Sequence, residues 1–180
     1  STFFIDDKID TGEIILKEAV IIKERETVGS LHDVLMNTGA HLVIKTVELI
    51  ERSEESLKKQ IINEVLKNAP KLKKENTKID WNRPVEEIDS FIRGLNPYPA
   101  AWCTMINNKE ESTVKIYNCN YVIEKHTFKN GTIISSKKEL KVSASNGYLT
   151  IHEMQLAGKR KMDIKSLLNG FTFDENSKMM

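Results

Sequence analysis

The chain is 180 residues long, 39% hydrophobic and 29% charged, which suits one folded domain of ordinary size or a small domain joined to part of another. No apolar run approaches the ~18 residues that would cross a bilayer, and the opening Ser1-Thr2-Phe3-Phe4-Ile5 lacks the charged start and apolar stretch of a secretory signal. The net charge of +1 divides unevenly, with 9 basic against 13 acidic side chains in residues 1–70 and 18 against 13 in residues 71–180. A polyanion would therefore meet the second part of the chain. The first residue is Ser1 rather than a methionine and the chain opens inside an apparent strand, as expected for a piece of a longer protein. Cys103 and Cys119 lack zinc-type spacing; both are expected to fill the core of a reduced, cytoplasmic protein.

Residues 2–5 and 13–22 are apolar and β-branched, and the polar segment Asp6 to Gly12 between them predicts a strand, a tight loop and a strand. Leu31, Leu35, Leu42, Val47 and Ile50 then follow helical spacing, with Thr27 or Ser30 as N-cap and Asp33 in the first turn. Residues 53–68 repeat that spacing through Leu57, Ile61, Val65 and Leu66, so a short helix or a connector is expected there. Pro70 ends the pattern. Pro84 opens a second helix whose stripe is Val85, Ile88, Phe91, Ile92 and Leu95, closed by Asn96-Pro97-Tyr98-Pro99.

From 101 the period changes to two. Strands are predicted over 101–106, 113–118, 120–128, 132–136, 138–144 and 148–156, with turns at Asn107-Asn108, Asn130-Gly131 and Asn146-Gly147. Short strands with close turns predict a small barrel. A last helix fits 163–169, and Phe171 to Met180 reads as frayed. His126 and His152 have no second ligand at metal-like spacing and are expected to be structural. Trp81 and Trp102 are expected to pack, and no aromatic row of the kind that stacks RNA bases is evident.

Three stretches carry a resemblance. Thr2-Phe-Phe-Ile-Asp-Asp-Lys-Ile-Asp-Thr-Gly-Glu-Ile-Ile15 resembles the segment that closes the active site of 10-formyltetrahydrofolate-dependent formyltransferases. Ile79-Asp80-Trp81, followed by Ile92-Arg93-Gly94-Leu95-Asn-Pro-Tyr-Pro-Ala-Ala-Trp102, resembles the entry to their carboxy-terminal domain, and Met154 to Met162 resembles that domain's closing segment. Order and spacing are those of the methionyl-tRNA formyltransferases across nearly the whole chain. The family usually has glycine where Ala100 stands.

The resemblance implies an α+β chain: the remnant of a Rossmann-like α/β formyltransferase domain over 1–52, a connector over 53–77, and a small OB-like β-barrel over 78–180. It implies an enzyme that moves a formyl group from 10-formyltetrahydrofolate to the amino group of methionyl initiator tRNA. Asp10 is then the active-site carboxylate, acting with an Asn and a His that precede Ser1, and the backbone of Asp7, Lys8 and Ile9 lines the pterin pocket. Lys71, Lys73, Lys74, Arg93, Lys159, Arg160 and Lys161 are the candidate tRNA contacts, since phosphates need positive charge more than exact placement. No metal and no membrane are implied, the fragment alone is expected to be inactive, and a monomer is expected. Two other readings stay open. One is a related formyltransferase acting on an amino sugar nucleotide, or the hydrolase part of a folate dehydrogenase; the absence of a further domain after Met162 disfavours both. The other is a non-catalytic RNA-binding module, in which Asp10 would merely cap a turn.

Overall fold

The computed structural model describes residues 1–8, 11–60 and 68–180, and the chain divides into two compact units, 1–70 and 71–180. In the first unit, β1 (Thr2–Phe3) pairs antiparallel with β2 (Ile14–Leu16). This ladder is shorter than the expected 2–5 and 13–22. Residues 17–22 form no strand, and Ile21 and Ile22 stay exposed. Lys58 instead exchanges two backbone hydrogen bonds with Ile14, at 2.9 Å each. The helix expected over 53–68 is accordingly absent from 53–60, while 61–67 lie outside the described residues.

Helix α1 (Val28–Glu51) opens on the capping arrangement its sequence suggests. The Thr27 hydroxyl accepts from the Ser30 amide, and the Ser30 hydroxyl accepts from the Thr27 amide, both at 3.2 Å. Asp33 lies one turn further in than expected, so no acidic side chain meets the positive end of the helix. Only Leu42 and Thr46 of its residues are buried. Met36, Val43, Val47 and Ile50 leave an apolar face exposed.

The second unit holds an extended core. Helix α2 (Val85–Leu95) begins after Pro84, and its first amide, on Val85, donates to the Asn146 side chain at 2.9 Å. A loop residue 61 positions away thus supplies the cap that proline cannot. Val85, Ile88, Ile92 and Leu95 form the buried stripe. Strands β3 (Ala101–Asn107) and β4 (Glu110–Ile123) form a hairpin closed by Asn108 and Lys109, with φ of 52° and 69°. Both central residues are left-handed, as a two-residue turn matched to strand twist requires, one position later than predicted.

The two strands expected over 113–118 and 120–128 are one. β4 runs through, and its register against β7 (Gly147–Leu156) slips at Tyr117 and again at His152. Such slips bend a strand and re-aim side chains without ending it. β5 (Ile133–Ser135), β6 (Leu140–Ala144) and β7 follow antiparallel, then the short β8 (Met162–Asp163), α3 (Ile164–Leu168) and β9 (Lys178–Met179). The order is β5-β6-β7-β4-β3-β9, and a bridge between Thr132 and Lys178 nearly closes the sheet into a barrel. Val114, Ile116, Leu140, Val142, Leu149, Ile151 and Met154 fill it, with Cys103 and Cys119 beside them.

Two expectations need correcting. Asn130-Gly131 forms the expected turn, the Thr132 amide donating to the Lys129 carbonyl at 3.1 Å, but it joins no hairpin: Gly131, at φ +85°, is where the barrel closes. A Cβ on it would stand 2.1 Å from the Met179 carbonyl oxygen, so only glycine lets the two backbones meet. Phe171 to Met180 is also not frayed. The Asn107 side chain donates to the Thr172 carbonyl at 3.0 Å and accepts from the Asp174 amide at 3.0 Å and the Ser177 hydroxyl at 2.5 Å. That leaves Met179 buried on the edge of β3. Polar residues made this tail look disordered, and a single buried amide satisfies its backbone.

Asn107→Ala strands these groups and is expected to destabilise the barrel by about 1–3 kcal/mol, read as a lower denaturant midpoint, with the Met179 and Met180 amides exchanging fastest. Burial pushes the Cys103 thiol up to about 12, so a thiol reagent at pH 8 is expected to label it only after unfolding.

Candidate functional site

Two places concentrate the candidate residues. The first is the loop between β1 and β2. Asp6 clasps it: its carboxylate accepts from the Lys8 amide at 2.9 Å and from the Thr11 hydroxyl at 2.7 and 2.8 Å. The Thr11 hydroxyl, then the Lys8 amide, hold the Asp6 carboxyl below its ordinary value. Gly12 is packed so tightly that a Cβ would fall 1.5 Å from the Phe4 carbonyl oxygen, and the Gly12 carbonyl accepts from the Gln60 side chain at 2.8 Å. Together these contacts tie Asp6 to Lys8 and Thr11 and hold Gly12 between Phe4 and Gln60. An open cleft of about 380 Å³ is lined by Phe3, Phe4, Ile5, Asp7, Lys8 and Gly12. Asp7 and Lys8 thus sit on a cleft, whereas Ile9 and Asp10 lie outside the described residues. The Asp6–Thr11 clasp was missed in the sequence, although an Asp five residues ahead of a Thr in a short loop is its signal.

The second place is the outward face of the barrel. Lys71, Lys73 and Lys74 are exposed on a turn organised by Asn76, whose side chain donates to the Lys71 carbonyl at 3.0 Å and accepts from the Lys73 amide at 2.7 Å. The carbonyl of Lys74 accepts the Trp102 indole N–H at 2.8 Å, and its ammonium lies 5.0 Å from the centre of that ring. Lys78, not singled out from the sequence, lies 5.5 Å from the same ring. Trp81 is buried as expected, but Trp102 points outward and is only half-buried.

Across the strands Trp102 is opposite Lys115, and Lys115 is opposite Gln155. Lys161 lies 5.3 Å from the Tyr117 ring and bonds Glu153 at 3.1 Å. Lys159 and Arg160 are exposed in the same closing loop. Arg93 differs: its guanidinium bonds Asp89 at 2.9 Å, and that carboxylate is 1% exposed. It is tied to the helix core, so less of its charge reaches solvent. The structure thus brings Lys74 and Lys161 onto one sheet face and anchors Arg93 beside a buried carboxylate. His126 gives a backbone contact, 2.7 Å to the Ala144 carbonyl. No cluster of potential metal ligands occurs among the described residues, and no helix among them is long and apolar enough to cross a membrane.

A nearly closed barrel, capped by α2 and entered through Ile79-Asp80-Trp81, defines the class: residues 71–172 match the family described as formyl transferase, C-terminal domain, and the chain belongs to that family. Among curated relatives, the methionyl-tRNA formyltransferase of Flavobacterium johnsoniae is 46% identical over 179 residues, covering 99% of this chain and 57% of that protein. The methionyl-tRNA formyltransferase of Bacteroides fragilis is 38% identical over 184 residues, with the same 99% and 57% coverage. The chain therefore spans a little over half the length of these relatives. HypX from Aquifex aeolicus, in a crystal structure with tetrahydrofolic acid, superposes with a TM-score of 0.62 at 18% identity, covering 96% of this chain and 30% of that one. WlaRD, a sugar 3N-formyl transferase, gives 0.54 at 20% identity, with 88% and 54% covered. Both likenesses are of fold.

Ala100, where the family usually has glycine, has φ +69°. The methyl therefore costs about 1–2 kcal/mol of backbone strain.

A carboxyl held below its ordinary value stabilises the loop above the unfolded aspartate value of about 3.9, and that contribution is lost as pH falls through the lower folded value. Thr11→Val is expected to move the Asp6 titration upward, toward the ordinary value, in a carboxyl-carbon NMR titration. An unmoved curve would show that the clasp is not formed.

Proposed function

We propose that this chain is the carboxy-terminal part of an enzyme that transfers a formyl group from 10-formyltetrahydrofolate to the amino group of methionyl initiator tRNA. The observation that carries the reading is the match of 99% of the chain, at 46% identity, to a relative named methionyl-tRNA formyltransferase. In the reaction the amine nitrogen bonds the formyl carbon and loses a proton, while the bond from that carbon to the folate nitrogen breaks and that nitrogen gains a proton. Asp10 orients an imidazole supplied by polypeptide ahead of Ser1, which accepts the amine's proton. The backbone of Asp7, Lys8 and Ile9 lines the pterin site, which the pinned loop and its cleft support. The residues present fit an organic co-substrate held by backbone groups and call for no metal.

Residues 1–52 are the end of a Rossmann-like α/β catalytic domain, 53–77 the connector and 78–180 an OB-like barrel. The exposed apolar face of α1 supports this: an apolar stripe of that size on a long helix is covered in a complete domain. Lys71, Lys73, Lys74, Arg93, Lys159, Arg160 and Lys161 hold the tRNA, supported by the +5 balance of residues 71–180. The enzyme works as a cytoplasmic monomer.

The test is formyl transfer to methionyl-tRNA. The 180-residue chain is expected to give no turnover, and a protein of the relatives' full length is expected to be active. In the latter, Asp10→Asn lowers kcat by roughly 10²–10⁴-fold and alters its pH profile. Full-length rates from residues 1–180 alone, or an Asp10→Asn enzyme as active as its parent, would refute the reading.

A further inference from the structure

The outward face of the barrel carries three aromatic rings that the tRNA reading leaves unassigned, each held in place by a hydrogen bond or a pinned backbone. The Trp102 indole is fixed by its bond to the Lys74 carbonyl at 2.8 Å. The Tyr117 hydroxyl donates to Gln155 at 2.8 Å, and alternation along β4 puts this ring on the same outward side as Lys115. Tyr98 is 83% exposed, yet its loop is tied down on both sides. The Asn96 side chain donates to the Tyr117 carbonyl at 2.9 Å, the Lys115 ammonium donates to the Pro99 carbonyl at 3.2 Å, and the Ala100 amide donates to the Leu95 carbonyl at 2.9 Å.

Tyr98 is thus an exposed ring on a backbone fixed from both sides. Rings held this way lose little conformational freedom when a flat partner lies on them. The charge around them is specific in kind. Lys74 and Lys78 lie within 5.5 Å of the Trp102 ring centre, Lys161 lies 5.3 Å from that of Tyr117, and Lys115 sits between the two. Of the carboxylates nearby, Glu153 is engaged by Lys161, and Glu75 and Asp80 line a cavity with Lys78, which leaves the lysines in excess. An apolar protein partner would leave these ammonium groups buried and unpaired. A strand of nucleotides supplies a flat base for each ring and a phosphate for each lysine.

We infer that Tyr98, Trp102 and Tyr117, with Lys74, Lys78 and Lys115, form a stacking platform for unpaired nucleotides of RNA across strands β3, β4 and the loop before β3. The inference rests on the tRNA reading for its biological ligand and deepens it. Unpaired bases are the part of a folded RNA that can leave its stack, and duplex RNA presents no faces for the rings.

Trp102 is itself the reporter, because Trp81 is buried and sees no ligand. Titrating the 180-residue chain with a short unstructured oligoribonucleotide is expected to quench tryptophan emission, while a blunt-ended two-strand RNA duplex of the same strand length quenches little. Tyr98→Ala weakens binding about tenfold, Tyr98→Phe restores it, and neither change disturbs a core, since Tyr98 is exposed. Lys78→Gln lowers the salt dependence by about 0.7 in the log–log slope, one phosphate contact. No quenching, equal affinity for the duplex, or unchanged affinity in Tyr98→Ala would each overturn the platform. If initiator tRNA binds the chain equally well with and without Tyr98, the platform fails and the formyltransferase reading stands. If the oligoribonucleotide quenches but the full-length protein formylates no methionyl-tRNA, the reading fails and the platform stands.

Discussion

The antiparallel pairing of β4 with β7 sets where everything else in residues 71–180 goes. Val114, Ile116 and Met154 point into the barrel, so by alternation Lys115 and Gln155 point out. Both strands slip register in the same region, at Tyr117 and His152. A slip puts two successive residues on one side, and Tyr117 joins Asn118 outside before Cys119 returns to the core. The same geometry gives the core its sulfur contact, Cys119 to Asp89 at 3.5 Å. It also gives the surface its row of Trp102, Lys115 and Gln155.

The two units solve the problem of burial differently. Residues 71–180 assemble an extended core and satisfy their awkward backbone groups with single side chains placed for the purpose. Asn146 caps α2 and Asn107 holds the chain's last residues. Residues 1–70 have a well-capped helix with an uncovered face and a two-stranded ladder too small to be stable alone. Within that incomplete setting Asp6 still bonds Lys8 and Thr11, and Gly12 packs directly on the Phe4 carbonyl.

Much of this was readable beforehand. Period-two alternation from 101 onward is a strong signal, as is the helical stripe of α2; the helix formed where it was placed, and the strands did so apart from the merging of 113–118 with 120–128 and the loss of 124–128. The Thr27 cap of α1 was equally legible, since it depends on neighbours in sequence. What could not be read depends on partners far along the chain. Gly131 looked like a hairpin turn because a glycine needed for close approach to Met179 and one needed for a turn are spelled alike. The tail after Phe171 looked disordered because its anchor, Asn107, lies 65 or more residues away. In the candidate site the lysines were visible as charge, but the aromatic row was not. Tyr98, Trp102 and Tyr117 have no common spacing, and only the pairing of β3 with β4 and the bonds of the loop before β3 gather them.

In the proposed reading, RNA meets the outward face of β3 and β4. Photocrosslinking initiator tRNA carrying 4-thiouridine to the full chain, and mapping the attached peptides, tests it most directly. Attachment within 96–102 and 113–117 is the predicted result. Attachment confined to the opposite side of the sheet, at β5 and β6, with those two segments unmarked, would contradict it.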